Sequence, residues 1–435
     1  DVGHLTQDDF DQGEDKIIAA ARREGKSPLA IAGFYTRVFL EDARRLNLVP
    51  PESYVRASDH IPEMVALAEK LIKRKHAYLS HGSVYFDVQS FPTYGKLSGN
   101  TVLQLKERVR QALKEEVFAQ KKHPVDFALW FKAQAGHLLQ WPSPWGSGYP
   151  GWHIECAAMI LKHLGTTVDI HTGGEDHIFP HHENEIAEAS AATGKPLARY
   201  WMHVRHLLMD GKKMSKREGT FIRLDDLITK GFHPLAFRFM VLGAHYRARL
   251  NFTWSALEAA QEGWMRLVDC VARLREAQVH AQNKTPAPKK LGQQLKKLGK
   301  AFATALDDDL GTPRALSVLS ELVGLTNSYL SGQSSLAILN ALLEHFLAFD
   351  KVLGLLPLEE TAPLASDQLQ KINELLKQRL NLRAQKKFAQ ADQIRKKLLE
   401  LGFEIQDTPE GTRWVKKTTG QSGRFSRPNV QNSVE

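Results

Sequence analysis

GWHIECAAMILKHLGTTVDIHTGGEDHIFPHHENEIAEA, residues 151–189, reads as a helix from about 152, a strand through TVDIHTG, a glycine turn and a second helix from Pro180. Helix, strand, Gly-rich turn and helix in succession point to a parallel α/β sheet, whose strands need crossover connections. The same stretch gathers Cys156, one of only two cysteines in the chain, with His171, His181, His182 and Glu185. Three explanations fit such crowding: a metal site, a nucleotide site, or a pair of crowded helices.

His181 and Glu185 lie four apart, so a helix places both on one face, a turn apart. Pro180 suits the first helical position, where its missing N–H costs nothing. Cys156, on the preceding helix, joins them if the intervening strand returns the chain to the same end of the sheet. Thiolate, imidazole and carboxylate together suit Zn²⁺. Spacing alone equally allows a helix with a polar face beside an unrelated buried cysteine. In HTGGEDH (171–177), Gly173 and Gly174 follow the strand and let a flat ligand approach the backbone, and the helix N-terminus beyond favours anions.

Outside this stretch the chain divides in character. Its 435 residues suffice for two or three domains, and 43% apolar with 25% charged residues is ordinary for a globular protein. No run of eighteen apolar residues suggests a membrane span. Two cysteines, Cys156 and Cys270, are too few for a disulfide framework, so the expected home is the cytoplasm. The net charge of +9 favours an anionic partner or a solvated surface. Before the central stretch, residues 60–79 have helical spacing and 82–99 suggest a small hairpin. After about residue 255 the pattern is helical, broken by a linker at NKTPAPKK (283–290). Residues 365–417 are strongly basic, and the polar end beyond them reads as disordered.

MDGKKMSKREGTFIRLDDL (209–227) is the second chemical feature: Lys212, Lys213, Lys216 and Arg217 crowd a glycine-flanked loop around Ser215. Such a loop can stabilise charge developing on a polyphosphate during phosphoryl or nucleotidyl transfer.

At these residues the sequence resembles a known family. KMSK (213–216) resembles the second signature of class I aminoacyl-tRNA synthetases. GWHIEC, DIHTGGED and FPHHENEIA closely resemble the cysteinyl-tRNA synthetases. The likeness continues through YGKLSG, DFALW, YWMH, ALDDDLGTPRAL and FAQADQIRKKL, and covers Asp1 to about Lys417.

The resemblance implies an α/β fold: a class I synthetase Rossmann-like catalytic domain, incomplete at its N-terminus, then an all-α helical bundle and a small basic C-terminal domain. The expected divisions are 1–205 catalytic, 206–255 KMSK loop and stem-contact region, 256–360 tRNA-binding bundle, 361–417 anticodon-binding domain and 418–435 disordered tail. It implies ligation of L-cysteine to tRNA(Cys) through a cysteinyl-adenylate, with ATP and Mg²⁺, by a monomer. One Zn²⁺ would select the substrate thiol, with Cys156, His181 and Glu185 matching three of its ligands. Trp152, His171, Gly173, Gly174, Asp176, Met214 and Ser215 match the substrate and ATP site, and Lys213 and Lys216 the catalytic lysines. Arg379, Arg383, Lys386, Lys387, Arg395, Lys396 and Lys397 would meet tRNA phosphates. The family's first class I signature and a further zinc cysteine have no counterpart here, so the expectation is a truncated chain with weak zinc. Two alternatives remain: a non-catalytic RNA-binding paralogue, and a cysteine ligase acting on an amino sugar.

Overall fold

The computed structural model describes residues 1–2, 16–100, 120–135, 137–214, 221–332, 334–357, 366–385, 387–401, 403–408, 411–418 and 421–426. Within these, side chains are described except at 16, 213, 366–373, 384, 403–404 and 406–426. Two compact units divide between His206 and Leu207, with Arg44–Leu48 joining the second and Tyr246–Arg249 the first.

The first unit contains α1 (Lys16–Glu24) and most of α2 (Pro28–Arg45), then α3 (Ile61–Lys73). In α3 the residues Ile61, Met64, Leu67, Ala68 and Leu71 recur at helical spacing, and all are buried. Strands β1 (Ala77–Ser80), β2 (Ser83–Phe86), β3 (Phe127–Lys132) and β4 (Gly148–Pro150) form an antiparallel sheet in that order. The β1–β2 hairpin turns at His81 and Gly82, both with positive φ (53° and 87°), as a tight hairpin requires. It therefore lies upstream of the 82–99 expected. The Asp87 carboxylate accepts from the Gln89 N–H and starts a 3₁₀ turn, which ends the strand pattern early.

The central stretch follows as α4 (Trp152–His163), β5 (Val168–Gly174), α5 (Glu183–Thr193) and β6 (Ala198–Val204). β5 and β6 pair in parallel, from Val168 opposite Ala198 to Gly174 opposite Val204, with α5 as their crossover. One expectation needs correction: the regular helix starts at Glu183, not Pro180. Phe179 has extended φ/ψ (−142°, 132°), and a wide turn at Ile178–His182 carries the chain into the helix. Ala187, Ala189, Ala191 and Ala192 keep α5 slim enough to pack closely, and all are buried.

The second unit opens with β7 (Leu207–Met209) and β8 (Lys212–Lys213), turned by Asp210-Gly211 with φ of 47° and 78°. After α6 (Leu224–Thr229) and α7 (Pro234–Leu242), β9 (Leu250–Phe252) pairs in parallel with β7. Helices α8 (Trp254–His280), α9 (Lys289–Asp307), α10 (Thr312–Leu330) and α11 (Leu336–Leu353) bury one continuous apolar cluster, including Leu291, Leu295, Phe302, Leu322, Leu342 and Phe346. Finally come α12 (Ser366–Ala384), α13 (Phe388–Glu400) and an antiparallel sheet of β10 (Phe403–Thr408), β11 (Gly411–Thr418) and β12 (Gln421–Ser426). β12 lies in what the sequence suggests is a disordered tail, and pairs Ser426 with Trp414. Among the described residues no helix is long and apolar enough to cross a membrane.

Candidate active site

The crossover β5–α5–β6 and the start of α4 bring the sequence's chemical residues together. Donor atoms of Cys156, His181 and Glu185 all lie within 4.8 Å of one another, as do those of His171, His182 and Glu185. Glu185 is fully buried. His171 Nε2 lies 2.7 Å from its Oε2, and His181 Nε2 lies 2.9 Å from its Oε1. Neither contact is aligned as a hydrogen bond, so both carboxylate oxygens and His171 Nε2 are enclosed without a conventional partner among the described residues. Enclosed polar atoms left this way cost free energy unless something binds them.

Burial works to raise the Glu185 carboxyl, yet the close approach of His171 and His181 outweighs it and holds the group well below the usual range. Cys156 goes the other way: burial first, then the charges of Glu185 and Glu155, push its thiol well above the ordinary value. A cation among these groups reverses that cost, because it favours thiolate and carboxylate together. The donor set fits a borderline-soft divalent ion such as Zn²⁺.

His153, which has no cue in the sequence, is buried, and its Nδ1 sits 2.9 Å from His181 Nδ1. With the shared proton on His181 Nδ1, the lone pair of His181 Nε2 is turned towards Glu185. This is the outer-sphere support that metal-binding imidazoles ordinarily have. Trp152 stacks on His181 with ring centroids 4.2 Å apart.

Around the cluster is a floor of imidazoles. His171 stacks on Trp201 at 4.6 Å, and His182 Nδ1 contacts His203 Nε2 at 2.8 Å. Burial lowers His182 to about 3, with His171 and His181 adding to the effect, and burial likewise lowers His177 and His203. These three rings are therefore neutral at physiological pH. Gly173 sits against them: a Cβ there would meet His182 Cε1 at 2.6 Å, closer than side chains approach. The place that the sequence reading gives to a flat ligand at this glycine is taken by the protein's own ring. Gly174 faces the Asp176 carboxylate, and Asp176 is exposed.

Neighbours in the same motif act as fasteners. Glu183, buried, accepts from the backbone N–H of Gly95 (2.8 Å) and Ser98 (2.9 Å), tying down the YGKLSG loop. Asn184 accepts from the Tyr94 hydroxyl. Glu175 accepts from the His206 N–H and pairs with Arg205 and Arg249, and these contacts lower it to about 2.

Glu188 is also fully buried, and neither oxygen has a hydrogen-bond partner among the described residues. Burial, then the charges of Glu185 and Glu155, raise its carboxyl well above the usual range. A raised carboxyl binds its proton more tightly folded than unfolded. Its contribution to stability is whole below the ordinary carboxylate pKa of 4.5 and is lost as pH rises through the folded value. Glu188→Gln, which cannot ionise, is expected to be more stable than the parent at pH 7 by about 1–3 kcal/mol. The gain should shrink as pH falls towards 4.5, as read by thermal unfolding across pH 4.5–8. A gain independent of pH would mean that ionisation of Glu188 is not what costs the parent stability.

The expected residues of the cationic loop and of the basic segment belong to the second unit. Lys213 ends β8, and Met214 is half-buried just beyond it. Ser215 and Lys216 lie outside the described residues, as does Lys386. Of the basic residues expected to meet tRNA, Arg383, Lys387, Arg395, Lys396 and Lys397 are exposed on α12, α13 and the link between them. Arg379 does not fit that role. Only 3% exposed, its side chain is turned inward on α12 beside the buried Leu375 and Leu376, away from any phosphate in solvent.

Comparison with known proteins adds family information. Residues 7–262 match the model for the class I (C) catalytic domain of tRNA synthetases. Residues 301–357 match a DALR domain, and 367–414 a cysteinyl-tRNA ligase anticodon-binding domain. The chain is 44% identical over 431 residues to a cysteine–tRNA ligase of Chlorobaculum tepidum, covering 96% of this chain and 84% of the relative. It is 43% identical over 422 residues to one of Thermus thermophilus, covering 95% and 85%. Two structures of Mycobacterium tuberculosis methionyl-tRNA synthetase with methionyl-adenylate share the fold. One has a TM-score of 0.51 at 15% identity, over 78% of this chain and 80% of that one. The other has 0.53 at 14%, over 76% and 78%.

Proposed function

The chain belongs to the cysteine–tRNA ligase family of class I aminoacyl-tRNA synthetases, and from that premise we propose that Cys156, His181 and Glu185 hold the divalent ion that selects its amino acid. Its substrates are L-cysteine, ATP and a tRNA. The family matches favour neither the amino-sugar ligase nor the non-catalytic paralogue.

The single observation that carries the metal reading is the enclosed carboxylate of Glu185, with two imidazole nitrogens and a thiol converging on it. Bound Zn²⁺ supplies a site that takes a thiolate and passes over a hydroxyl, which pocket shape alone discriminates by only about 1–3 kcal/mol. Trp152 packs against His181 and fixes the ring plane. His153 meets the Nδ1 of His181 with its own Nδ1 and so orients that ring. The imidazole floor, neutral at working pH, places weakly polar rings under β5 without adding charge to the pocket. Lys213 and Lys216 are proposed to meet the charge developing on the β,γ-phosphates of ATP with Mg²⁺, and Met214 and Ser215 to shape that loop. The Asp210-Gly211 turn supports this reading, since it starts the KMSK segment directly from a short hairpin.

Exposed Arg383, Lys387, Arg395, Lys396 and Lys397 are proposed as phosphate contacts of the anticodon-binding domain. A monomer working in the cytoplasm completes the reading, and the unpaired Cys156 and Cys270 suit a reducing compartment.

The test is cysteine-dependent ATP–pyrophosphate exchange before and after treatment with a chelator. Stripped protein should lose the exchange and recover it with added Zn²⁺ but not Mg²⁺ alone. Unchanged exchange in metal-free protein would remove the metal from the reading and leave the ligase activity standing.

A further inference from the structure

The two oxygens of the Glu185 carboxylate face different imidazoles. Oε1 lies 2.9 Å from His181 Nε2, and Oε2 lies 2.7 Å from His171 Nε2. Besides the group with Cys156, donor atoms of His171, His182 and Glu185 also lie within 4.8 Å of one another, and no sulfur is among them. His171 comes from β5, His182 from the turn that enters α5, and Glu185 from α5 itself, all within the first unit. An ion held by Cys156, His181 and Glu185 uses neither His171 nor His182.

Imidazoles packed beside a tryptophan are commonly no more than filled space, so what holds these two decides the matter. The Trp201 indole lies against both rings, with centroids 4.6 Å from His171 and 5.0 Å from His182, and the two imidazoles stand 4.6 Å apart. His182 Nδ1 meets His203 Nε2 at 2.8 Å, just as His181 Nδ1 meets His153 Nδ1 at 2.9 Å. Both His181 and His182 therefore have an imidazole behind them, the kind of outer-sphere partner that orients the ring of a metal ligand. A proton on His182 Nδ1 leaves the lone pair of its Nε2 free for a cation. Gly173 makes room for that ring, since a Cβ there would meet His182 Cε1 at 2.6 Å and Nε2 at 2.9 Å. His171 Nε2 and Glu185 Oε2 are closed off from solvent, so bulk water does not satisfy them.

We propose that His171, His182 and Glu185 form a second divalent-cation position, joined to the first through the carboxylate of Glu185. The proposal deepens the metal reading of Glu185 and rests on it. Two imidazoles and one carboxylate suit Zn²⁺, Co²⁺ or Ni²⁺, whereas Mg²⁺ and Ca²⁺ prefer oxygen surroundings. A carboxylate can give one oxygen to each of two ions, and paired ions are a recurring arrangement in proteins. The two ions repel each other, so the second position fills after the first and holds its ion less tightly. With no thiolate among its donors, it is also the position that yields its ion first to a chelator.

The test titrates the full chain, stripped of metal, with Co²⁺ near neutral pH. Ions bound per chain are read by equilibrium dialysis, alongside the absorption spectrum. The parent should bind a first ion that brings a sulfur-to-cobalt charge-transfer band, because Cys156 is among its donors. A second ion should then add ligand-field absorption without strengthening that band. His182→Gln and His171→Gln should each keep the first ion with its band and weaken the second by more than about 100-fold, beyond what loss of an outer-sphere partner does. Thermal unfolding establishes that each variant is folded, and either one decides the matter if the other is not. Cys156→Ser should lose the band and still bind an ion, which a further His182→Gln releases. A parent chain that binds only one ion overturns the proposal and leaves His171 paired with Glu185. A second ion that survives both histidine substitutions also overturns it, by assigning that ion to surface histidines. Absence of the charge-transfer band in the parent is a different result, and counts against Cys156 in the thiol-selecting site instead.

Discussion

Glu185→Gln is expected to lower cysteine-dependent pyrophosphate exchange by more than about 100-fold and to lower zinc affinity well below that of the parent chain. The substitution keeps the volume of a side chain that is fully buried, so packing is hardly disturbed. What it removes is the negative charge that His171 Nε2 and His181 Nε2 approach at 2.7 and 2.9 Å, and one of the three donors around the candidate ion. Loss of outer-sphere partners typically lowers metal affinity 10–100-fold, and loss of a direct ligand exceeds that. Metal content and exchange rate should fall together, while circular dichroism and melting temperature stay near those of the parent. Parent-like zinc affinity with parent-like exchange in the variant would make the cluster a structural feature of α5 and not the thiol-selecting site.

The second large effect is on stability and lies in the other unit. Arg238→Ala should destabilise the second unit by about 1.5–3 kcal/mol, the range for losing hydrogen bonds made by a charged donor. With a unit of this size that corresponds to a fall in melting temperature of about 4–10 °C. Arg238, half-buried on α7, donates from Nε to the Leu353 carbonyl (2.6 Å) and from Nη1 to those of Leu46 (2.7 Å) and Asn47 (3.1 Å). Asn47 in turn donates to the carbonyls of Gly354 and Leu356, and Asp350 accepts from the N–H of Leu355 and Leu356. Gly354 is left-handed (φ 59°), and a Cβ there would meet the guanidinium at 2.9 Å, so the turn is shaped around the arginine. Arg238→Lys should recover only part of the loss, because a point ammonium cannot serve three carbonyls in a plane. A melting temperature within 2 °C of the parent for the Ala variant would show that water replaces the guanidinium without cost.

Much of the candidate site is legible in the sequence because its cues are local. A four-residue interval puts His181 and Glu185 on one side of the chain whether the helix starts at Pro180 or at Glu183. The later helix start therefore leaves the pairing intact. Paired glycines after a strand announce a close approach at Gly173, although not that His182 is the group approaching. The glycine-flanked loop expected around the lysines opens instead with Lys212 and Lys213 in β8, and Ser215, Lys216 and Arg217 lie outside the described residues. Arg379 departs from its expected role for the complementary reason. Seven basic residues in one segment look alike in sequence, and only the packing of α12 separates Arg379, which is buried, from the five others among the described residues, which are exposed.

Short-range order is thus decided by the sequence itself: helix and strand periods, the βαβ crossover, the turn glycines and the donor types in GWHIEC and FPHHENE. Those depend on interactions within a few residues, which any reader of the chain can enumerate. Tertiary structure alone decides that Cys156 reaches Glu185 from another helix, that His153 backs His181, that Glu188 is sealed without a hydrogen-bond partner among the described residues and that Arg238 gathers carbonyls from positions 46, 47 and 353. The physical reason is that burial and partner choice are properties of the whole packed chain. A carboxylate's charge, a thiol's proton and a guanidinium's role are settled by neighbours that sequence distance does not reveal.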